Sequence, residues 1–206
     1  MPARNDATDP LAALRETLEA HSRETGSHAR RVAEYSRLLA EAAGLDAYST
    51  QLLYLAAPLH DAGKIGIPDE VLHKPGPHSE AEREIMRTHV ELGRRMLNRP
   101  GSPVLAAAAI VASQHHERWD GQGYPDGLRG EEIHVFGRIT ALVDVFDALT
   151  SPRCYKEAWP LHRALGYLVE HAGRRFDPVL VERFMQSLDA VLEIHQRLRD
   201  GPGPAH

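Results

Sequence analysis

Apolar residues recur along most of this chain at three- and four-residue intervals, the period of helices packed on a core. Leu11, Leu14 and Leu18 predict a first short helix. Val32, Tyr35, Leu39 and Ala42 mark a longer one over 22–43, with Gly44 as its stop. Residues 49–59 read as a third helix. Ser79 is a candidate N-cap for a helix over 79–97, and Glu82 stands three residues on, where a capping box needs it. Segment 104–117 is apolar enough to be a buried helix. An amphipathic helix over 135–150 stops at Pro152, and 161–172 and 178–198 give two more, Pro178 suiting a first helical turn. Gly and Pro break 63–77 into a loop with at most one helical turn, and 119–130 is a second structured loop rich in Gly, Asp and Pro. No strand-like alternation and no internal repeat occur. The expected fold class is all-α, a single bundle of about seven or eight helices with two structured loops. The 206 residues suit one domain. We place an N-terminal extension at 1–14, the domain at 15–198 and a disordered tail at 199–206.

Charge and composition narrow the partners. The formal net charge is -5, and Lys and Arg collect into no long basic stripe, which argues against a nucleic-acid polymer. A small anionic ligand needs only a few local cations or a metal. The single cysteine, Cys154, allows no intrachain disulfide and fits a cytoplasmic location. Residues 1–10 lack the apolar core of a signal peptide. No run approaches the ~18–20 apolar residues of a membrane span, so no membrane partner is expected.

Thirteen histidines are more than chance usage gives, and their positions matter. His60 and Asp61 end an apolar helix and open a Gly-rich loop, and such donors suit a divalent cation. A solvated His beside an N-capping Asp is the plain alternative. Glu24 and His28 share a helix face, as ligands or as a helix-stabilising pair with a buried histidine. His115 and His116 close the apolar segment, either as surface residues at a helix end or as ligands to two metals. His89 is flanked at helical spacing by Ile85, Met86, Leu92 and Gly93 and faces inward. Asp144 lies among Leu142, Val143, Val145 and Phe146, where a carboxylate is costly unless paired or metal-bound, and Asp147 three residues later shares its face. The other histidines (21, 73, 78, 134, 162, 171, 195 and 206) stand in polar or terminal contexts and read as surface residues. That contrast points to a metal cluster.

These segments resemble the HD-GYP domain, a branch of the HD superfamily of metal-dependent phosphohydrolases. The matching stretches are Glu-Thr-Gly-Ser-His-Ala-Arg-Arg (24–31), Leu-His-Asp-Ala-Gly-Lys-Ile-Gly-Ile-Pro (59–68) and Thr-His-Val-Glu-Leu-Gly (88–93). His-His-Glu-Arg-Trp-Asp-Gly-Gln-Gly-Tyr-Pro (115–125), Asp-Val-Phe-Asp-Ala-Leu-Thr-Ser-Pro-Arg-Cys-Tyr-Lys (144–156) and Phe-Asp-Pro (176–178) follow in order. The resemblance implies an HD-superfamily helical bundle and a cyclic di-GMP phosphodiesterase of bacterial signalling. It implies metal ligands at Glu24, His28, His60, Asp61, His89, His115, His116 and Asp144, holding two or three divalent ions, iron or manganese. Glu24 goes with the three-metal arrangement. The pattern is departed from at Ser27, usually Asn, and at His134 and Cys154, usually Pro. Cys154 lies between two presumed substrate contacts. Family domains usually follow a receiver or sensor domain, which residues 1–14 cannot hold, so a stand-alone enzyme and a piece of a longer chain are both open.

Phosphodiester hydrolysis by two metals ~3.5–4 Å apart requires a bridging group, and Asp61 is the expected one, which makes it a catalytic residue. Lys64 is a point charge suited to a nonbridging phosphate oxygen, counted as both catalytic and substrate-binding, or else a solvated loop lysine. Arg153 and Lys156 either hold phosphate or complement a helix end. Tyr124, in the Gly121–Pro125 loop, is expected to contact substrate by stacking on guanine or through its hydroxyl. A structural plug, or a docking point for a diguanylate cyclase domain, are its alternatives. The partners expected are thus a cyclic dinucleotide, that cyclase domain and a second copy of the chain. Three other readings stay open: hydrolysis of 3′,3′-cyclic GMP-AMP, a non-catalytic cyclic-dinucleotide-binding or docking module, and a helical interaction protein with incidental histidines.

Overall fold

Helical periodicity dominates the chain, and the regular structure of the described residues in the computed structural model is helical. The structure describes residues 10–22, 26–152 and 157–199. Glu24, Arg153 and Lys156, three of the expected site residues, lie outside the described residues together with Cys154 and the tail 200–206. The helices are α1 (Pro10–Ser22), α2 (Gly26–Ala42), α3 (Ala47–Ala56), α4 (Asp69–Leu72), α5 (Glu80–Arg87) and α6 (His89–Leu97). They continue as α7 (Pro103–Gln114), α8 (Val135–Thr150), α9 (Leu161–Glu170), α10 (Pro178–Gln186) and α11 (Leu188–Arg197). Tight 3-10 turns occupy Ala57–Leu59, Ala62–Gly66 and Gly130–Glu132. No strand forms among the described residues, only the isolated bridges Asp120–Arg129 and Ala172–Phe176. No described helix is long and apolar enough to cross a membrane. The boundary expected after residue 14 falls inside α1, whose Leu11, Leu14 and Leu18 pack against the core.

The helices outnumber the expectation because two long periodic spans are each two helices and the single turn within 63–77 is α4. In 79–97 the break is Thr88, whose hydroxyl donates to the Ile85 carbonyl at 2.6 Å and whose N–H also turns back to it. The turn starts α6 at His89 and aims that ring inward. In 178–198 the break is Ser187, whose N–H reaches both the Arg183 and Phe184 carbonyls. The capping box at Ser79 and Glu82 forms as expected.

α7 and α8 are apolar on nearly every side and largely covered, with only Pro103 and Ala106 of the two exposed. α3, α6 and α8 pack on α7, and α2, α9 and α10 pack on α8. The core between them holds Tyr35, Phe146 and Phe184 in edge-to-face contacts at 5.5 and 5.0 Å. His134 caps α8: its Nδ1 accepts from the Phe136 N–H at 3.1 Å. Its own N–H donates to Gln114 Oε1 at 2.7 Å, a bond that the family's usual proline could not make.

One close approach positions the site. A Cβ on Gly63 would lie 1.9 Å from the His89 carbonyl oxygen and 2.5 Å from Gly93 N. A Cβ on Gly93 would meet Gly63 N at 3.2 Å. The turn after Asp61 therefore touches α6 main chain to main chain. Gly63→Ala should destabilise the fold by about 3 kcal/mol or more, since backbone must move. Gly166→Ala, in α9 with open space around it, should stabilise by roughly 0.5–1 kcal/mol. Urea midpoints of the two variants check both signs.

Candidate metal centre

Five imidazoles converge from four elements, each arriving at a helix end. His28 comes from the first turns of α2, His60 from the turn after α3, His89 from the start of α6, and His115 and His116 from the end of α7. Their ligand atoms fall into two groups with Asp61 and Asp144. One is Asp61, His89, His115 and His116, and the other is His28, His60 and Asp144, the atoms of each within 4.8 Å of one another. Asp61 faces both. Its Oδ1 lies 3.2 Å from His89 Nε2 and 3.7 Å from His115 Nε2, and its Oδ2 lies 3.2 Å from His60 Nε2. Asp144 Oδ1 stands 3.7 Å from His60 Nε2 and 3.8 Å from His28 Nε2.

The ring orientations are fixed from behind. Nδ1 of His60 meets the Ala57 carbonyl at 3.0 Å, that of His89 the Met86 carbonyl at 2.7 Å, and that of His115 the Val111 and Ala112 carbonyls at 3.1 Å. A protonated Nδ1 leaves Nε2 with its lone pair pointing inward. Nε2 of His89, Nε2 of His115 and Oδ1 of Asp61 are buried, with no hydrogen bond to any described residue. Such atoms cost about 1–3 kcal/mol each when left so, and three of them converge. A divalent cation would satisfy them together, so the donor set fits a metal. Burial pushes the His116 imidazole down to about 3 and His115 well below its ordinary value, which keeps both neutral and able to ligate. Burial pushes Asp61 up, but Lys64, His60 and His89 outweigh it and hold the carboxyl well below the usual range. Lys64 Nζ is 2.6 Å from Asp61 Oδ2.

Behind His28 lies an ion pair that sequence reasoning missed. Asp147 is fully buried and takes His28 Nδ1 at 2.7 Å on Oδ2, while Arg31 Nε donates to its Oδ1. Arg31, itself 2% exposed, also donates to the Leu198 carbonyl at 2.9 Å, tying in the end of α11. Asp144 and Asp147 do share a face of α8, but only Asp144 joins a ligand group. The signal in the sequence was a second carboxylate on an apolar helix.

Asp61, His89, His116 and Asp144 form the floor of an open cleft of about 680 Å³, also lined by Lys64, Tyr124, Trp159, Tyr167 and Arg175. Tyr124 stacks on His116 at 4.8 Å and 22°, with the Arg87 guanidinium over its ring at 5.1 Å. Tyr124 thus both packs against a candidate ligand and lines the cleft. The loop behind it is tied down by Glu117, whose buried Oε1 accepts from the Asp126 and Gly127 N–H groups at 2.8 and 3.1 Å. Gly123 must be glycine, because a Cβ there would sit 2.4 Å from Arg118 N. Trp119 supports the loop, its N–H donating to the Arg175 carbonyl.

Seven of the eight expected ligands stand together, and Glu24 is outside the described residues. The reading of the remaining histidines as surface residues needs correction. His134 and His162 are exposed, but His21, His73, His78, His171 and His195 are partly buried. His171 stacks on Tyr167 at 3.9 Å, and His195 Nδ1 meets the Tyr35 hydroxyl at 3.2 Å. Polar neighbours in sequence did not reveal packing between distant helices.

The sequence profile of the HD domain family matches residues 12–180. The chain belongs to the HD domain family. Within it, the order of its motifs is that of the HD-GYP branch. The 3′3′-cGAMP-specific phosphodiesterase 2 of Vibrio cholerae is 44% identical over 187 residues, covering 91% of this chain and 36% of the relative. The cyclic di-GMP phosphodiesterase response regulator RpfG of Xanthomonas campestris is 43% identical, covering 86% and 47%. The chain therefore spans well under two thirds of the length of these curated relatives. A solved cyclic GMP-AMP specific phosphodiesterase of V. cholerae shares the fold, with a TM-score of 0.64 at 22% identity over 91% of this chain and 52% of that one.

Asp147→Asn keeps the shape of the side chain but removes the buried negative charge that Arg31 and His28 face. We expect a loss of about 3–5 kcal/mol, read from chemical denaturation of metal-free protein.

Proposed function

We propose that this domain is a metal-dependent phosphodiesterase that hydrolyses cyclic di-GMP to pGpG, GMP or both. The observation that carries the reading is Asp61, with one oxygen toward each ligand group, on the floor of a cleft that also presents Lys64. His28, His60 and Asp144 would hold one divalent ion, and His89, His115 and His116 a second, with Asp61 shared; iron or manganese suits the mixed imidazole and carboxylate donors. Such ions supply a hydroxide near neutral pH and polarise a phosphoryl oxygen.

The chain's own residues do the rest. Carbonyls behind the rings keep Nε2 as the donor atom of His60, His89 and His115. Lys64 holds Asp61 ionised and offers its ammonium to a nonbridging phosphate oxygen. Tyr124 presses on His116 and fixes its ring. Arg153 and Lys156, directly after α8, carry charges suited to the second phosphate of a cyclic dinucleotide.

A second reading, hydrolysis of 3′3′-cyclic GMP-AMP, is favoured by the relative of that name at 44% identity. Metal analysis of protein purified without oxygen, joined to turnover of both nucleotides, tests the two readings and separates pGpG from GMP. Asp61→Ala should abolish turnover and lower metal content with helicity unchanged by circular dichroism. Retained turnover in that variant would sink the proposal.

A further inference from the structure

The floor of the cleft accounts for phosphate chemistry, and nothing in it reads a base. One wall is different in kind. Trp159, Tyr167 and Arg175 line the same cleft as Asp61 and Lys64 and hold each other in place. Tyr167, on α9, meets Trp159 edge-on at 5.9 Å and 85°, and His171 stacks behind it at 3.9 Å and 27°. Arg163 covers one face of Trp159 at 3.9 Å. The Tyr167 hydroxyl accepts from Arg175 Nη1 at 3.3 Å.

The root of Arg175 is fixed as well. Its N–H donates to the His171 carbonyl at 2.9 Å, and its carbonyl accepts from the Trp119 N–H at 3.3 Å. The bond to Tyr167 is the one side-chain hydrogen bond it makes to a described residue, and no described carboxylate lies within ion-pair distance. Arg31, Arg118 and Arg138, by contrast, are each bonded to an aspartate. A guanidinium has five N–H donors in a planar fork, so Arg175 keeps a directed set of donors for the cleft.

We infer that Trp159, Tyr167 and Arg175 form a purine-base subsite in which the base packs on the aromatic wall and Arg175 forks onto O6 and N7 of guanine. This rests on the cyclic-dinucleotide reading and adds its base selectivity. Aromatic stacking tolerates either purine. The fork does not: guanine offers two acceptors on that edge, whereas adenine puts an amino donor where O6 would be. Lysine at this position would keep the charge and lose the paired geometry.

The test uses the metal-loaded chain with cyclic di-GMP, 3′3′-cyclic GMP-AMP and cyclic di-AMP. Rapid-mixing fluorescence reads binding before turnover, and steady-state assays read hydrolysis. Arg175→Lys and Arg175→Ala should each weaken cyclic di-GMP by about 5- to 150-fold and leave cyclic di-AMP unchanged, so the guanine preference collapses. Trp159→Ala should weaken all three alike. Retained guanine preference in both Arg175 variants, or equal weakening of all three nucleotides by them, overturns the subsite, as does a wild-type chain that binds none of the three. Hydrolysis whose base preference ignores Arg175 leaves the phosphodiesterase reading standing without the subsite. Guanine-selective binding that needs Arg175, without hydrolysis, does the reverse.

Discussion

Asp61 gives one oxygen to each of two histidine groups, and the surrounding structure is arranged to keep that carboxylate in place and ionised. A buried carboxylate alone would take up a proton. Here Lys64 and the imidazoles around it reverse that tendency. The turn that carries Asp61 is in turn held by the contact of Gly63 with α6, which brings His89 to Oδ1. α7 then delivers His115 and His116 from the opposite side, because its apolar length leaves polar atoms only at its end. The candidate histidines come from distant parts of the chain and meet because each sits at or near a helix end, while Asp144 reaches them from within α8.

A second carboxylate, Asp147, serves the same centre from behind. It takes the Nδ1 of His28 and the Arg31 guanidinium and is closed off from solvent. The pair costs desolvation on both sides, which the mutual attraction offsets only with good geometry. Arg31 also holds the Leu198 carbonyl, so the orientation of one candidate ligand depends on how α11 is seated.

Much of this was legible in the sequence. The 3.6-residue period gave helices such as 135–150 with their observed ends, and inward-facing histidines with an aspartate among valines pointed to the candidate ligands that the fold brings together. Other features lacked a sequence signal. Thr88 breaks a continuous helical pattern because its hydroxyl competes for a carbonyl, which residue type alone does not announce. Arg31 reads as one charge in a polar helix face, and only the fold brings it to Asp147. The wall of Trp159, Tyr167 and Arg175 spans two turns and a helix, with no spacing that marks it. His195 and His171 were misread for the same reason, since burial between distant elements leaves no local trace.

The contact between Gly63 and α6 has a consequence for how such a domain diversifies. The distance from the Asp61 turn to the start of α6, and so to His89, is set there by bare main chain, with no side chain as a spacer. Substitutions among the candidate ligands and on the walls of the cleft leave that frame with its dimensions. The donors and the cleft lining can thereby vary in a lineage independently of the frame, as long as that pair of glycines stays.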